Sequence, residues 1–243
     1  MANLLKKLIF SDLDPRERLK QNVLQQQWDN LLQVWNNKDQ HGNDISVAIA
    51  TERMVQLFLI AAQFLTPSIY VRAFFGRFGV LWKHLGVELY VFFKLFFSYI
   101  ILKERLYLTE HTLWGHNIVM LWCIWMIIEA ILYISVLVFC SDMFAKPHSS
   151  KRNIIFILVD YITINFDFAT IYILTKSIKS AAGIVYRPIE ACYFSFVSSI
   201  TIGYGDIVAA NDTGRMVVMY HSVTFLILGV VFINFYISRI KER

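Results

Sequence analysis

Cysteine, proline, glycine and charge are all scarce in this chain. Its 243 residues contain three cysteines, Cys123, Cys140 and Cys192. All three lie in or beside apolar runs and lack metal-ligand spacing. They read as buried packing residues, and a disulfide scaffold is excluded. Four prolines and ten glycines exclude collagen-like repeats and low-complexity disorder. Charged residues make up 17% of the chain, against about 25% in an average soluble protein. A net charge of +5 would suit nucleic acid if it were clustered. The basic residues are instead scattered, and many flank apolar runs, so they read as membrane-topology signals and no nucleic-acid partner is expected. No cleavable leader is expected either, because Met1–Phe10 is short, contains Lys6 and Lys7, and runs into a polar stretch.

Apolar side chains are abundant. They make up 57% of the chain, aromatic residues alone 16%, with 20 Phe, 12 Tyr and 6 Trp, and the mean hydropathy is +0.51. A soluble fold of this size has no interior for that load, so the chain reads as an all-α integral membrane protein in a lipid bilayer.

The first 85 residues read as an N-terminal cytoplasmic and interfacial helical region. Asp14-Pro15-Arg16-Glu17 is a helix start, with an N-cap, a first-turn proline and an acidic third position. The helix that follows carries Leu19, Val23, Leu24, Trp28, Leu31, Leu32 and Trp35 on one broad stripe and ends near Asn36–Asn37. Its breadth suits packing on a neighbouring helix better than a coiled-coil seam. Lys38–Asp44 reads as a loop. A second helix is expected from Ile45 to Leu65, stopped by Pro67, with Gln56 and Gln63 making it a poor membrane span. Tyr70–Leu85 mixes aromatics with Arg72, Arg77 and Lys83, as a helix lying in the membrane interface does.

Four long apolar stretches follow, Val87–Leu102, Asn117–Cys140, Ile154–Leu174 and Met216–Ile237, each close to the ~20 residues a bilayer core requires. The first two form a transmembrane region over 86–145. Basic residues precede the first span, separate the second from the third (Lys146, Lys151, Arg152) and follow the fourth (Arg239, Lys241, Arg243). With basic loops inside, both termini are cytoplasmic and the protein belongs in the cell membrane.

Between the last two spans lies Ala191-Cys192-Tyr193-Phe194-Ser195-Phe196-Val197-Ser198-Ser199-Ile200-Thr201-Ile202-Gly203-Tyr204-Gly205-Asp206. A ring of backbone carbonyls can replace the water shell of K⁺ if the strand keeps its carbonyls inward. Gly203 and Gly205 permit the backbone angles such a run needs. Pro188 starts a helix over Ile189–Ser199, whose negative dipole end would favour a cation.

This run closely resembles the pore loop of potassium channels, and residues 152–240 resemble their outer-helix, pore-loop and inner-helix module. The resemblance implies a selectivity filter at Thr201, Ile202, Gly203, Tyr204 and Gly205, with K⁺ at the first four and no other cofactor. It implies support from Asp206, Tyr193, Phe194 and Ile200, and an inner helix starting at Gly214-Arg215. Leu226, Gly229, Ile233, Asn234 and Ile237 would line the pore, Asn234 serving either as a polar ring or as an interhelical hydrogen bond. One chain supplies one filter strand, so a homotetramer is implied, or a place in a heterotetramer. The chain departs from the family where Ile200 replaces a hydroxyl residue and where Tyr193 and Phe194 replace tryptophan. Val197 stands at a position that carries Glu in some members. Phe225 occupies the usual hinge glycine, with Gly229 one turn later.

Voltage gating needs an arginine ladder. The third span has Asp160 and Asp167 and no arginine, so a standard voltage sensor is not expected. No C-terminal ligand-binding domain is expected, which leaves control of opening to residues 1–150, the pore, or an unidentified gating ligand or protein partner. Lys94, Glu129 and Asp167 sit near mid-membrane, and Lys94 is expected to pair with Glu129 or Asp167, as a static brace or as a gating or proton-sensing element. His221 is either a pH sensor or a packed hydrogen-bonding residue. The expected function is a potassium-selective channel subunit. The rivals are a regulatory or weakly selective subunit and a transporter subunit. The transporter is disfavoured by the single complete loop, and an enzyme by the lack of any catalytic arrangement.

Overall fold

A computed structural model describes residues 23–36, 50–105, 112–113, 116–140 and 150–240. Asp14–Glu17, Leu19, the Lys38–Asp44 loop, the helix start at Ile45, Lys146, Lys241 and Arg243 lie outside them, as do the side chains of Lys151, Arg152 and Arg239. The described residues fall into two units, one reaching Tyr90 and one running from Val91.

In the first unit, α1 (Val23–Trp35), α2 (Ala50–Gln63) and α3 (Pro67–Gly76) precede the start of α4 (Val80–Lys103). The face that α1 buries is Val23, Gln27 and Val34. Trp28, Leu32 and Trp35 of the expected stripe are exposed. The buried face is thus turned toward a glutamine, which is tolerable because Gln27 donates to the Ile60 carbonyl and to Gln63 Oε1. Arg53 closes the C-terminal end of α1 by donating to the carbonyls of Val34 and Trp35, a favourable place for a cation. Pro67 starts α3 after Thr66, and α2 and α3 meet at a 63° bend.

The expected interfacial helix over Tyr70–Leu85 is broken in two. Gly79, at φ +123°, ends one helical run, and α4 begins at Val80 rather than at Gly86–Val87. Gly86 lies inside α4 because the Phe75 ring lies against it. A Cβ there would come within 2.5 Å of that ring.

The second unit holds the rest of α4, a hairpin of β1 (Thr112–Leu113) and β2 (His116–Asn117), α5 (Ile118–Phe139) and α6 (Ser150–Leu174). These are followed by β3 (Ile178–Ser180), β4 (Gly183–Ile184), α7 (Pro188–Ser199), β5 (Ile207–Ala209) and α8 (Asp212–Ile240). Asn117 caps α5 by accepting from the backbone N–H groups of Val119 and Met120. Four helices, α4, α5, α6 and α8, are long and apolar enough to cross a membrane, and the bent α2–α3 pair would make a fifth.

The most enclosed of these is α6, with 67% of its apolar window buried against 28–39% in the others. It packs on α5, α7 and α8, and its Ile164, Phe168, Ala169 and Tyr172 enter one core with Cys123, Ile127 and Ala130 of α5. Its own polar side chains are largely satisfied along the helix. Thr163 donates to the Val159 carbonyl, Asn165 Nδ2 to that of Tyr161 and Thr170 to that of Phe166.

Candidate functional site

The segment between α6 and α8 is built from two helix ends of the same kind. At the end of α6, Lys176 takes a left-handed conformation (φ +49°). Its N–H bonds the Ile173 carbonyl and the Ser177 N–H bonds that of Tyr172, which is the Schellman arrangement. The chain then enters a three-stranded antiparallel sheet ordered β4-β3-β5. Arg187, in extended conformation, precedes Pro188 at the first helical position of α7, with Glu190 in the first turn.

At its other end α7 repeats the motif. Thr201 lies at φ +56°, its N–H bonds the Ser198 carbonyl, and the Ile202 N–H bonds that of Val197. Glycine is the usual residue at such a position, and a β-branched residue there is an outlier. Thr201 is therefore both the cap of α7 and the first residue of the loop beyond it. Positive φ recurs at Gly203 (+59°) and Gly205 (+79°), so left-handed residues alternate with ordinary ones from 201 to 205. Residues 200–206 are all exposed in the single chain.

The loop is held at both ends. The carboxylate of Asp206 stands by the Tyr193 phenol and raises that phenol above its ordinary titration range. Beyond it β5 pairs with β3 in the register Ile178↔Ala209, Lys179↔Val208 and Ser180↔Ile207. Asn211 caps α8 by accepting from the Gly214 N–H at 2.8 Å. Gly214 lies directly against the end of α6, where a Cβ would come within 2.1 Å of the Ser177 carbonyl oxygen. Gly214→Ala therefore forces backbone apart and is expected to destabilise the protein by about 1–3 kcal/mol, read as a lower melting temperature in detergent. An unchanged melt would show that the two helices separate freely there.

Two residues of α6 grip α7. Tyr161 Oη meets Ser199 Oγ at 2.9 Å, and Ser195 Oγ donates to Asn165 Oδ1 at 3.1 Å. Both pairs are spaced i, i+4 on their helices, a signal present in the sequence and passed over there. Phe194 is buried, its ring edge-on to Tyr172 with centroids 5.0 Å apart, whereas Ile200 is exposed. The Tyr172 hydroxyl bonds His221 Nδ1 at 2.9 Å, and Phe168 stacks on the imidazole at 4.1 Å, so His221 is a packed residue joining α6 to α8. Phe225 turns toward this same layer, against Tyr161 and His221. On α8, Leu226 and Gly229 are exposed. The side chains of Ile233, Asn234 and Ile237 lie outside the described residues.

The mid-membrane charges bring Asp160, which the sequence left outside the expected pairing, up to Lys94. Lys94 Nζ stands 3.0 Å from Asp160 Oδ1, with both side chains almost fully buried. The carboxyl groups of Glu129 and Asp167 lie around the same ammonium. Asp160 and Asp167 share a face of α6, and the direct contact falls to Asp160 because the relative depth of α4 and α6 brings it level with Lys94. That depth is a property of packing, not of either span alone.

Residues 156–242 match the family model described as ion channel. No curated protein and no solved structure matches the chain. The matched stretch takes in α6 from Phe156, the sheet, α7, the loop and α8. With four helices among the described residues long and apolar enough to span a bilayer, the protein is an all-α integral membrane protein, and the matched stretch supports an ion-channel segment within it.

Proposed function

We propose that this chain is a potassium-selective channel subunit that passes K⁺ passively through a homotetrameric pore in the cell membrane, with both termini cytoplasmic. The observation that carries this reading is the alternation of positive φ at Thr201, Gly203 and Gly205 in an exposed ribbon. Alternating left- and right-handed residues let successive carbonyls share one side, which is the surface a dehydrated cation needs. Irregular backbone of this kind is tolerated at membrane depth only where protein buries it or a pore uses it. Thr201, Ile202, Gly203 and Tyr204 would hold K⁺, and Gly205 would close the filter. Asp206 and Tyr193 would steady its outer mouth, with Phe194 packed behind it and Ile200 beside it. Leu226 and Gly229 would face the ion path, followed by Ile233, Asn234 and Ile237.

Opening is not driven by a standard voltage sensor in this reading, since α6 carries buried Asp160 and Asp167 and no arginine ladder. The test is cation flux from liposomes containing the purified protein. K⁺ efflux with Na⁺ retained is the expected result. Equal fluxes of the two would overturn selectivity and leave a general cation pore.

A further inference from the structure

Lys94, Glu129, Asp160 and Asp167 are each at most 5% exposed. They place three carboxyl groups around one ammonium, and the ammonium is in contact with Asp160. Asp167 is fully buried, and neither of its oxygens has a hydrogen-bond partner. Ser98 of α4 and Cys123 of α5 stand beside it, but without hydrogen-bond geometry, and Ser98 Oγ is itself unpartnered. A bare carboxylate with no donor is among the most costly groups to bury, and it is relieved by taking up a cation.

The surroundings decide which cation. A metal ion would need several oxygen ligands. Here the neighbours are one hydroxyl, one thiol, a repelling ammonium and the Asp160 carboxyl, which is already taken by that ammonium, and no group of three or more metal-binding side chains occurs among the described residues. A proton needs only the carboxyl itself.

We infer that Asp167 is a proton-binding site, held as a neutral carboxylic acid within the bundle of α4, α5 and α6. The groups that face it are Lys94 and Ser98 from α4, Cys123 from α5, and Asp160 from its own helix. Glu129 of α5 shares the same ammonium. From α8 the titratable His221 is turned to Tyr172 and Phe168 instead.

The site is placed to act on the pore. Asn165 lies two residues before Asp167, about 200° around the helix, and bonds Ser195 of α7. One turn further, Tyr161 bonds Ser199. One side of α6 thus carries the proton site and another holds the pore helix. Loss of the proton puts a new negative charge into the core, repels Asp160, draws on Lys94 and shifts α6 under α7. This coupling rests on the proposed channel function, whereas the proton site itself does not.

The experiment is infrared spectroscopy of the full chain in lipid vesicles at neutral pH. The expected result is a carbonyl band of a protonated carboxylic acid that Asp167→Asn removes and Asp167→Glu keeps at a shifted position. Absence of such a band in the wild type, or its persistence unchanged in Asp167→Asn, would overturn the site. In parallel, K⁺ efflux is measured between about pH 6 and pH 9. A several-fold change in the wild type that Asp167→Asn flattens supports the coupling, and a profile that this variant leaves unaltered overturns it. Absence of efflux from every variant would count against the channel reading and the coupling together, while the infrared result would still decide the proton site.

Discussion

Alanine at Gly203 or Gly205 is expected to abolish K⁺-selective efflux while leaving the protein able to insert and fold. The φ values of +59° and +79° lie where an L side chain costs about 1–2 kcal/mol per residue. In the proposed tetramer one substitution is repeated four times, so the strain converging on the ribbon sums to about 4–8 kcal/mol, while each subunit bears only about 1–2 kcal/mol, well below the stability of an ordinary domain. Among the described residues, no atom beyond the glycine and its two chain neighbours lies within 4 Å of a Cβ built at either position, so within one subunit the effect is conformational and not a clash. The strand is expected to escape by turning peptides away from the alternating pattern, which removes carbonyls from the ion path. Gly205→Ala, at the larger φ, is expected to have the stronger effect. Efflux of K⁺ and Na⁺ from vesicles reads the outcome, and unchanged selectivity in both variants would mean that the ribbon over 201–205 is not the filter.

The second large effect falls on stability. Lys94→Met leaves Asp160 buried with no cation, and removing one partner of such a pair costs about 3–5 kcal/mol. For a chain of this size that corresponds to a fall in Tm of about 6–20 °C. Adding Asp160→Leu to the same chain is expected to restore part of the loss, because the two apolar side chains need no counter-charge while Glu129 still lacks the ammonium it shared. A thermal melt in detergent measures both, and the recovery separates a lost ion pair from general disruption. If Lys94→Met melted like the wild type, the carboxyl groups around it would already be neutral.

The apolar stretches of α5, α6 and α8 are legible because a span announces itself by length alone. The start of α4 is not, since Lys83, His84 and Glu88 give its first turns the polarity of an interfacial segment, and the boundary is set instead by the backbone at Gly79. The sheet is invisible for another reason. Its strands are two or three residues long, and Ile178 finds its partner Ala209 across the whole pore loop. No local pattern records such a pairing. Thr201 misleads by type, because a β-branched residue argues against positive φ and only the capping bonds of α7 put it there. For Lys94 the sequence supplies its depth within its own span but not the register between spans, which is what selects Asp160. The pairs Tyr161/Asn165 and Ser195/Ser199 were readable in principle, as hydroxyl and amide groups recurring every fourth residue on otherwise apolar helices.

The contact of Gly214 with the Ser177 carbonyl has a mechanical consequence. It is backbone against backbone, reinforced by the Ala210 N–H bond to the same carbonyl at 2.8 Å, so it acts as a fulcrum. From Gly214 to Ile240 the arm of α8 is about 39 Å long at 1.5 Å per residue. A swing of only about 5° about that point carries the far end through about 3 Å, while the near end, beside the loop, hardly moves. Leverage of this kind lets the far mouth of a conduit widen or narrow while the ribbon of alternating residues stays as it is.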